Sequence, residues 1–372
     1  MGILVEKKEL ILLGGGHSHA LVLRMLGMDP LDAARLTLVS NVSHTPYSGM
    51  LPGYVSGQYG YDETHIDLRR LAQFAGARFI LGETVGLDLG QKQIQFRSRP
   101  PLDFDLLSIN IGSTPSTDSV PGSAEHAIPI KPVPAFLDVW HDIVADTSNR
   151  PRTLVIVGGG AGGVELALSM KKRLGPHDHV HLVNRDPQLL PSHAPRVRVL
   201  MTRLCRDQGI ELHRGDAVSD VTPNVIRFAS GKMLEFDHLF WVTNATPAPW
   251  LRSSGIAVDS AGFILTSNTL QSTSHDFVFA AGDVASMRDT PRPKSGVYAV
   301  RQAKPLLVNL RATCIGAPLR PYHPQKRALA LIGTGAAEAV ASHGRFAHLS
   351  PLMLKIKDRI DQRFMRKFAE LP

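Results

Sequence analysis

The sequence predicts an α/β protein made of two Rossmann-like units and a C-terminal segment that ends in a basic amphipathic helix. Three observations carry this. An apolar run breaks into three glycines and resumes as a helix pattern at "LILLGGGHSHALVL" (10–23), and the arrangement returns at "TLVIVGGGAGGVELAL" (153–168). A second apolar strand follows each glycine run at the same spacing, "RLTLVSN" (35–41) and "HVHLVNR" (179–185). Near the C-terminus, apolar residues recur at three- and four-residue steps. The chain has 372 residues and 43% hydrophobic composition, enough for two or three cores.

Taken in order, each unit reads strand, glycine turn, helix and strand, then a further helix, a small β meander and a last strand. The first ends at "LLSINIGSTP" (106–115), the second at "LFWVTNATP" (239–247). A strand leading through glycine into a helix and a parallel strand is the opening of a doubly wound sheet. Two tandem copies point to two nucleotide sites.

The second turn is the cleaner one. Gly158, Gly160 and Gly163 satisfy G-x-G-x-x-G, with Ala161 and Gly162 opening the helix. Gly158 makes the sharp turn, Gly160 lets a pyrophosphate approach the backbone, and Gly163 lets helix and strand lie close. Free N–H groups and the helix dipole then face the anion. The ribose-binding acid expected at the end of the second strand is replaced by Asn184, followed by Arg185. A guanidinium there suits a 2′-phosphate, which favours NADPH, although Arg185 read simply as a solvated surface residue fits equally well.

The first turn keeps Gly14 and Gly16 and has Ser18 in its helix, but His19 replaces the third glycine. Its bulk requires looser packing or a ring that points outward, either touching a bound cofactor or serving a structural purpose. Ser40 and Asn41 end the second strand, again without an acid. His17 and His19 have no third ligand nearby in sequence, and the two cysteines, Cys205 and Cys314, are far apart. No metal site and no disulfide are expected, and a reducing compartment fits.

The net charge of +8 favours anionic partners, whereas an aromatic fraction of 6% without basic–aromatic interleaving argues against nucleic acid. The N-terminus lacks a signal-peptide layout, and no apolar stretch reaches the roughly 20 residues a membrane span needs. The expected location is cytoplasmic, with peripheral attachment to the inner face of a membrane as an option.

"TSHDFVFAAGDVASM" (273–287) runs an apolar strand into Ala-Gly-Asp. Together with the duplicated turns, it resembles the second FAD motif of the two-dinucleotide-binding-domain flavoproteins, the pyridine nucleotide-disulfide oxidoreductase superfamily. The resemblance covers almost the whole chain. It implies an FAD domain formed by residues 1–118 and 250–318, an inserted NAD(P)H domain over 119–249, and a C-terminal segment over 319–372. Asp283 would accept a hydrogen bond from the ribityl chain, with Gly282 permitting close approach.

"SHTPYSGMLPGYVSG" (43–57) stands where disulfide reductases carry their cysteine pair, and it has none, so dithiol chemistry is excluded. This stretch and "RPKSGVYAVRQAKPLLVNL" (292–310) resemble type II NADH dehydrogenases and sulfide:quinone reductases. The ensemble "GGGHSH", "HTPYSGMLPG", "HIDLRRLA", "PKSGVYAVRQ" and "KDRIDQRFMRKF" is most similar to the flavoprotein module fused ahead of selenophosphate synthetase, which implies such a domain or subunit as partner. On the FAD side the resemblance carries over Pro46, Tyr47, Ser48, Gly49, Val85, Gly112, Ser113, Gly296 and Val297. On the NAD(P)H side it carries over Ala245.

The implied activity is hydride transfer from NAD(P)H to FAD, then re-oxidation by a small acceptor, read as a quinone. Glu165 matches a family glutamate near the nicotinamide and would steer the ring or relay a proton. Lys294 is the candidate cation at the flavin's pyrimidine edge, and Gln302 a candidate contact to the acceptor. Sulfide oxidation needs reactive cysteines, and Cys205 and Cys314 read as packing residues. A slow-turnover FAD-binding sensor is the alternative of a different class.

In the C-terminal helix pattern, Met353, Ile356, Ile360, Phe364 and Phe368 form one apolar stripe. Lys355, Lys357, Arg359, Arg363, Arg366 and Lys367 dominate the other faces. Such a helix, over 350–370, suits an anionic membrane or docking on its own fold or a partner.

Overall fold

Strand Lys8–Leu13 heads a five-stranded sheet in the order Val278–Ala280, Leu106–Ile109, Lys8–Leu13, Ala34–Ser40, Arg78–Leu81, every neighbouring pair parallel. Leu10 to Leu13 are all buried, as a strand covered on both faces requires. The computed structural model describes residues 7–117, 119–148, 150–243 and 245–372. The stretch read for a leader therefore lies largely outside the described residues.

A second parallel sheet repeats the plan in the order Ile128–Pro129, His238–Trp241, Thr153–Val157, His179–Asn184, Ile210–Arg214. The glycine turns lead into helices His17–Met28 and Ala161–Arg173. Each unit also carries a three-stranded antiparallel meander, 84–103 in the first and 218–235 in the second. Strand Val278–Ala280 completes the first sheet after the second unit has been built, so the chain leaves and returns. The crossings lie side by side: Thr114–Pro115 pairs antiparallel with Ala245–Thr246.

The C-terminal segment forms a three-stranded antiparallel sheet, Ala330–Gly333, Ala339–His343 and Phe346–Ser350, and the helix Pro351–Ala369. Ser350 caps that helix, its hydroxyl accepting from the Met353 amide, with Pro351 at the first helical position. Ile332 and Val340 of the sheet join the core of the second unit, while Phe364, Met365 and Phe368 of the helix join that of the first. The segment thus straps the two units together.

The expected stripe on this helix is only partly buried. Phe364 and Phe368 are in the core, but Ile360 is 50% exposed, because the core lies under the helix's second half. Lys357, expected on an outward face, is turned inward with Asp361: its ammonium donates to the Gly49 carbonyl and to the Asp361 carboxylate. Among the described residues, no helix is long and apolar enough to cross a membrane.

Candidate dinucleotide sites

The carboxyl ends of the first sheet converge on a cavity of about 440 Å³. Its lining takes Gly14 and Gly16 from the first turn, Ser40 from the second strand, Gly112 and Ser113 after the fourth, and Gly282 and Asp283 after the last. Pro46, Ser48 and Gly296 close it. This is where open α/β sheets bind ligands. A larger surface groove of about 700 Å³, lined by Glu9, Arg35 and Arg78, lies at the opposite, amino ends of the strands. A Cβ on Gly112 would meet only open space, so the backbone there is free to be approached.

Gly14 has φ +97°, and a Cβ on it would collide with the Asn110 backbone. Gly16 is confined as well: a Cβ there would overlap the Asn110 side chain. Asn110 holds the loop from below. Its amide nitrogen donates to the Ala281 carbonyl at 2.6 Å, and its amide oxygen accepts from the His19 N–H at 3.3 Å. Ala281 immediately precedes Gly282 and Asp283, so one side chain joins the glycine turn to the Ala-Gly-Asp strand end. The sequence reading missed Asn110, whose only signal is a polar residue at the end of the apolar "LLSIN".

His19 does not point outward. Its ring is fully buried, Nδ1 lying 2.7 Å from the Gly14 carbonyl and Nε2 2.8 Å from the Ser108 hydroxyl. A carbonyl only accepts, so Nδ1 carries the proton and Nε2 accepts from Ser108. Burial lowers the pKa to about 4, so the ring is neutral at ordinary pH. His19 is therefore a structural part of the turn and does not line this cavity.

Several other expected contacts are redirected. The Ser18 hydroxyl donates to the Ala299 carbonyl at 2.7 Å, fastening the first helix to helix Gly296–Cys314. Gln302 is buried, and its amide oxygen accepts from the Gly282 amide at 2.6 Å, which shapes the turn before Asp283. The Lys294 ammonium donates to the Ala285 carbonyl at 2.6 Å and sits 3.8 Å over the Phe263 ring. Desolvation there lowers its pKa to about 8. Val85 and Val297 are surface residues.

Tyr47 donates to Asp361 at 3.1 Å and stacks on Phe364, so it meets the C-terminal helix. Gly49 gives its carbonyl to Lys357, as above. The cation that does line the cavity is Lys131, 3.6 Å from the Asp283 carboxylate. It comes from the connection "IPIKPVP" between the repeats, which carries no motif, so only the tertiary structure could show it. His17 also lines the cavity, edge-on to Tyr47 and Phe364. Burial and Lys131 lower its pKa to about 4, against the pull of Asp283.

The second cavity, about 400 Å³, lies at the carboxyl ends of the second sheet. Gly158, Gly160, Asn184 and Arg185 line it, with Trp241 to Thr243 opposite. A Cβ on Gly160 would meet nothing within 4 Å, whereas one on Gly163 would overlap the Gly158 carbonyl. The first glycine opens to a ligand and the second permits close packing, as the spacing predicts. Ala161 and Gly162 lie in the first helical turn beside the cavity, and Ala245 lies in the crossing strand, away from it.

Asn184 is not free to replace a ribose-binding acid. Its oxygen accepts from the Gly159 amide at 3.1 Å, and its nitrogen donates to the Asp186 and Gln188 carbonyls. Arg185, by contrast, is exposed, with Asp186 at 3.9 Å.

Glu165 points away from the second cavity and towards the C-terminal segment. It accepts from the Gly333 amide at 2.7 Å and shares a small cleft with Tyr59 and Lys357. Burial raises its pKa, and the Lys357 ammonium opposes the rise. Cys205 and Cys314 are buried free thiols in separate cores, and burial pushes Cys205 up to about 12.

The family model described as Pyridine nucleotide-disulphide oxidoreductase matches residues 8–303. Among curated relatives, the NADH dehydrogenase-like protein YutJ of Bacillus subtilis is 23% identical, over 88% of this chain and 90% of its own length. The demethylphylloquinone reductase NdbB of Synechocystis is 23% identical, over 89% of this chain and 86% of its own. Among solved structures, the sulfide:quinone oxidoreductase of Aquifex aeolicus superposes with TM-score 0.78 at 16% identity, covering 97% of this chain and 91% of that one. NDH2 of Plasmodium falciparum does so with TM-score 0.75 at 15% identity, covering 98% of each chain.

Proposed function

The chain belongs to the pyridine nucleotide-disulphide oxidoreductase family, and from that premise we propose an FAD-dependent NAD(P)H dehydrogenase that delivers electrons to a quinone. The observation that carries it is the pair of cavities at the carboxyl ends of two duplicated parallel sheets, each beside a glycine turn into a helix, with open space at Gly160 of the second turn for a backbone-bound phosphate. We read residues 1–118 and 250–318 as the FAD-binding part and 119–249 as the NAD(P)H-binding part. The relatives named for NADH dehydrogenation and quinone reduction support the same direction.

A flavin held here would supply the capacity to take a hydride and to pass electrons on one or two at a time. The protein's share is positioning. The backbone N–H groups starting helix His17–Met28 would hold the FAD phosphates, and Asp283, paired with Lys131, would accept from ribityl hydroxyls. Those starting helix Ala161–Arg173 receive the NAD(P)H pyrophosphate, with Arg185 free to reach a 2′-phosphate. Lys131 supplies positive charge beside the first cavity.

Burial raises the pKa of Glu165, which shares its cleft with Lys357. Lys357 leads through Asp361 to the Tyr47 hydroxyl, a polar chain under the segment 46–49 that serves to deliver protons to a reduced acceptor. A sulfide-oxidising reading lacks its thiols, since both cysteines are buried away from the cavities.

The test is an absorption spectrum of the purified, FAD-reconstituted protein before and after anaerobic NADPH, followed by a soluble quinone. Yellow protein that bleaches with NADPH and recovers with quinone supports the proposal. Protein that retains FAD but never turns over favours the sensor, and bleaching by sulfide instead of NADPH favours sulfide oxidation. On the motifs alone we also propose a selenophosphate synthetase as partner. Failure of the two proteins to co-elute would count against it. We propose, too, that the outward face of the C-terminal helix, with Leu352 and Ile360 exposed and a groove lined by Arg359, Arg363 and Arg366, rests on acidic membranes. Equal sedimentation with liposomes after truncation before Ser350 would refute that.

A further inference from the structure

The edge strand of the second sheet and its neighbour carry a histidine-rich group that neither cavity uses. His179–Asn184 and Ile210–Arg214 run parallel, with His181 beside Glu211 and Val183 beside His213. Side chains two apart on a strand share a face, so "HVH" presents His179 and His181 together, and "ELH" presents Glu211 and His213 beside them. One donor atom from each of His181, Glu211 and His213 lies within 4.8 Å of the others. His181 Nδ1 is 3.0 Å from His213 Nε2 and 3.6 Å from Glu211.

We propose that His181, Glu211 and His213 bind a borderline-soft divalent metal ion, with Zn2+ as the fitting member, on the edge of the nucleotide-binding sheet. Tetrahedral ligands about 2.0–2.2 Å from zinc lie roughly 3.3–3.6 Å from one another, so small side-chain rotations bring the three atoms into place. Two imidazoles and one carboxylate form a donor set that zinc accepts and that magnesium or calcium does not favour.

The surroundings define the rest of the site. His179 Nδ1 stands 4.0 Å from the other Glu211 oxygen and is the available fourth ligand; otherwise water completes the shell. Phe228 of the meander stacks on His213 at 5.7 Å and walls the site, and Lys232 is the cation facing His213. A bound ion would tie the edge strand to the strand that ends in Asn184 and Arg185 at the second cavity, and so stiffen the support of the nucleotide site. The sequence reading expected no metal because it weighed only His17, His19 and the cysteines. The alternating H-x-H and E-x-H pairs were the signal, and they become one group only when the strands are aligned.

The test titrates Zn2+, and Co2+ as a spectroscopic stand-in, into the full-length protein freed of any histidine tag. The expected result is one equivalent of Zn2+ in calorimetry, visible bands of low-coordinate Co2+, and a melting temperature raised by Zn2+. All three should vanish in the double variant His181→Ala/His213→Ala. Glu211, 59% exposed, offers a variant that leaves folding alone. Glu211→Gln should weaken Zn2+ on the order of 10-fold or more. Absence of binding by the wild-type protein overturns the proposal. So does an unchanged stoichiometry in the double variant, or Zn2+ affinity unmoved by Glu211→Gln.

Discussion

In the second unit any Cβ on Gly163 would overlap the Gly158 carbonyl, whereas in the first unit His19 occupies the corresponding place and turns that contact into a bond, its ring 2.7 Å from the Gly14 carbonyl. The two turns share their backbone geometry. Gly14 and Gly158 both have positive φ, and Gly16 and Gly160 cap their helices in the same extended conformation. The third glycine of the fingerprint is thus one of two solutions to the same problem, an inward carbonyl at the tightest point of a turn. One solution removes the side chain. The other supplies a donor, and it requires a neutral buried ring with a fixed tautomer and the Ser108 hydroxyl behind it.

The comparison is most exposed to Gly163→Ala. The overlap is with backbone, which no side-chain rotation relieves, so destabilisation of roughly 3 kcal/mol or more is expected in urea unfolding. Bleaching by NADPH should be lost while FAD stays bound. If the variant reduces flavin at the wild-type rate, the close packing is not needed.

His19→Gly would restore the usual fingerprint, yet it should weaken the protein. It empties a buried volume and leaves the Gly14 carbonyl and Ser108 without their partner, a loss of about 2–4 kcal/mol. An unchanged or raised melting temperature would show that the ring is dispensable.

The pH dependence follows from the same ring. Its folded pKa of about 4 lies below the ordinary 6.5, so below pH 6.5 the unfolded chain binds the proton first. Stability is then fully present above pH 6.5 and falls as the pH drops towards 4, by up to roughly 3 kcal/mol at 1.36 kcal/mol per unit. His17 has the same window. Urea midpoints from pH 7 to 4 should therefore fall less steeply in His19→Gln, and identical slopes would remove His19 from the account.

The smallest expected effect belongs to the ribose end of the second unit. Asn184 is committed to its own loop, so discrimination rests on Arg185. Arg185→Ala should raise the KM for NADPH by about 10-fold while leaving that for NADH nearly unchanged. Equal changes for both nucleotides would mean the guanidinium never reaches a phosphate.

Much of the site was legible because local rules wrote it. Apolar strands ending in glycine, helices starting at once, and an Ala-Gly-Asp strand end located Gly14, Gly112, Gly158, Gly160, Gly282 and Asp283 on the two cavities. Residues chosen by type were less secure. Ser18, Gln302 and Lys294 stand in the right stretches, but each spends its polar group on a backbone partner. A hydroxyl, amide or ammonium beside a turn can face either way, and burial decides which.

The sequence by itself determined the duplicated units and their glycine turns, since strand periodicity and glycine's access to positive φ act over a few residues. Tertiary structure alone decided that Asn110 staples the turn, that Lys131 faces Asp283, and that Lys357 and Asp361 turn inward. Each of these contacts joins residues far apart in the chain. A long-range pairing leaves no local pattern, because its energy comes from desolvation shared between elements that meet only after folding.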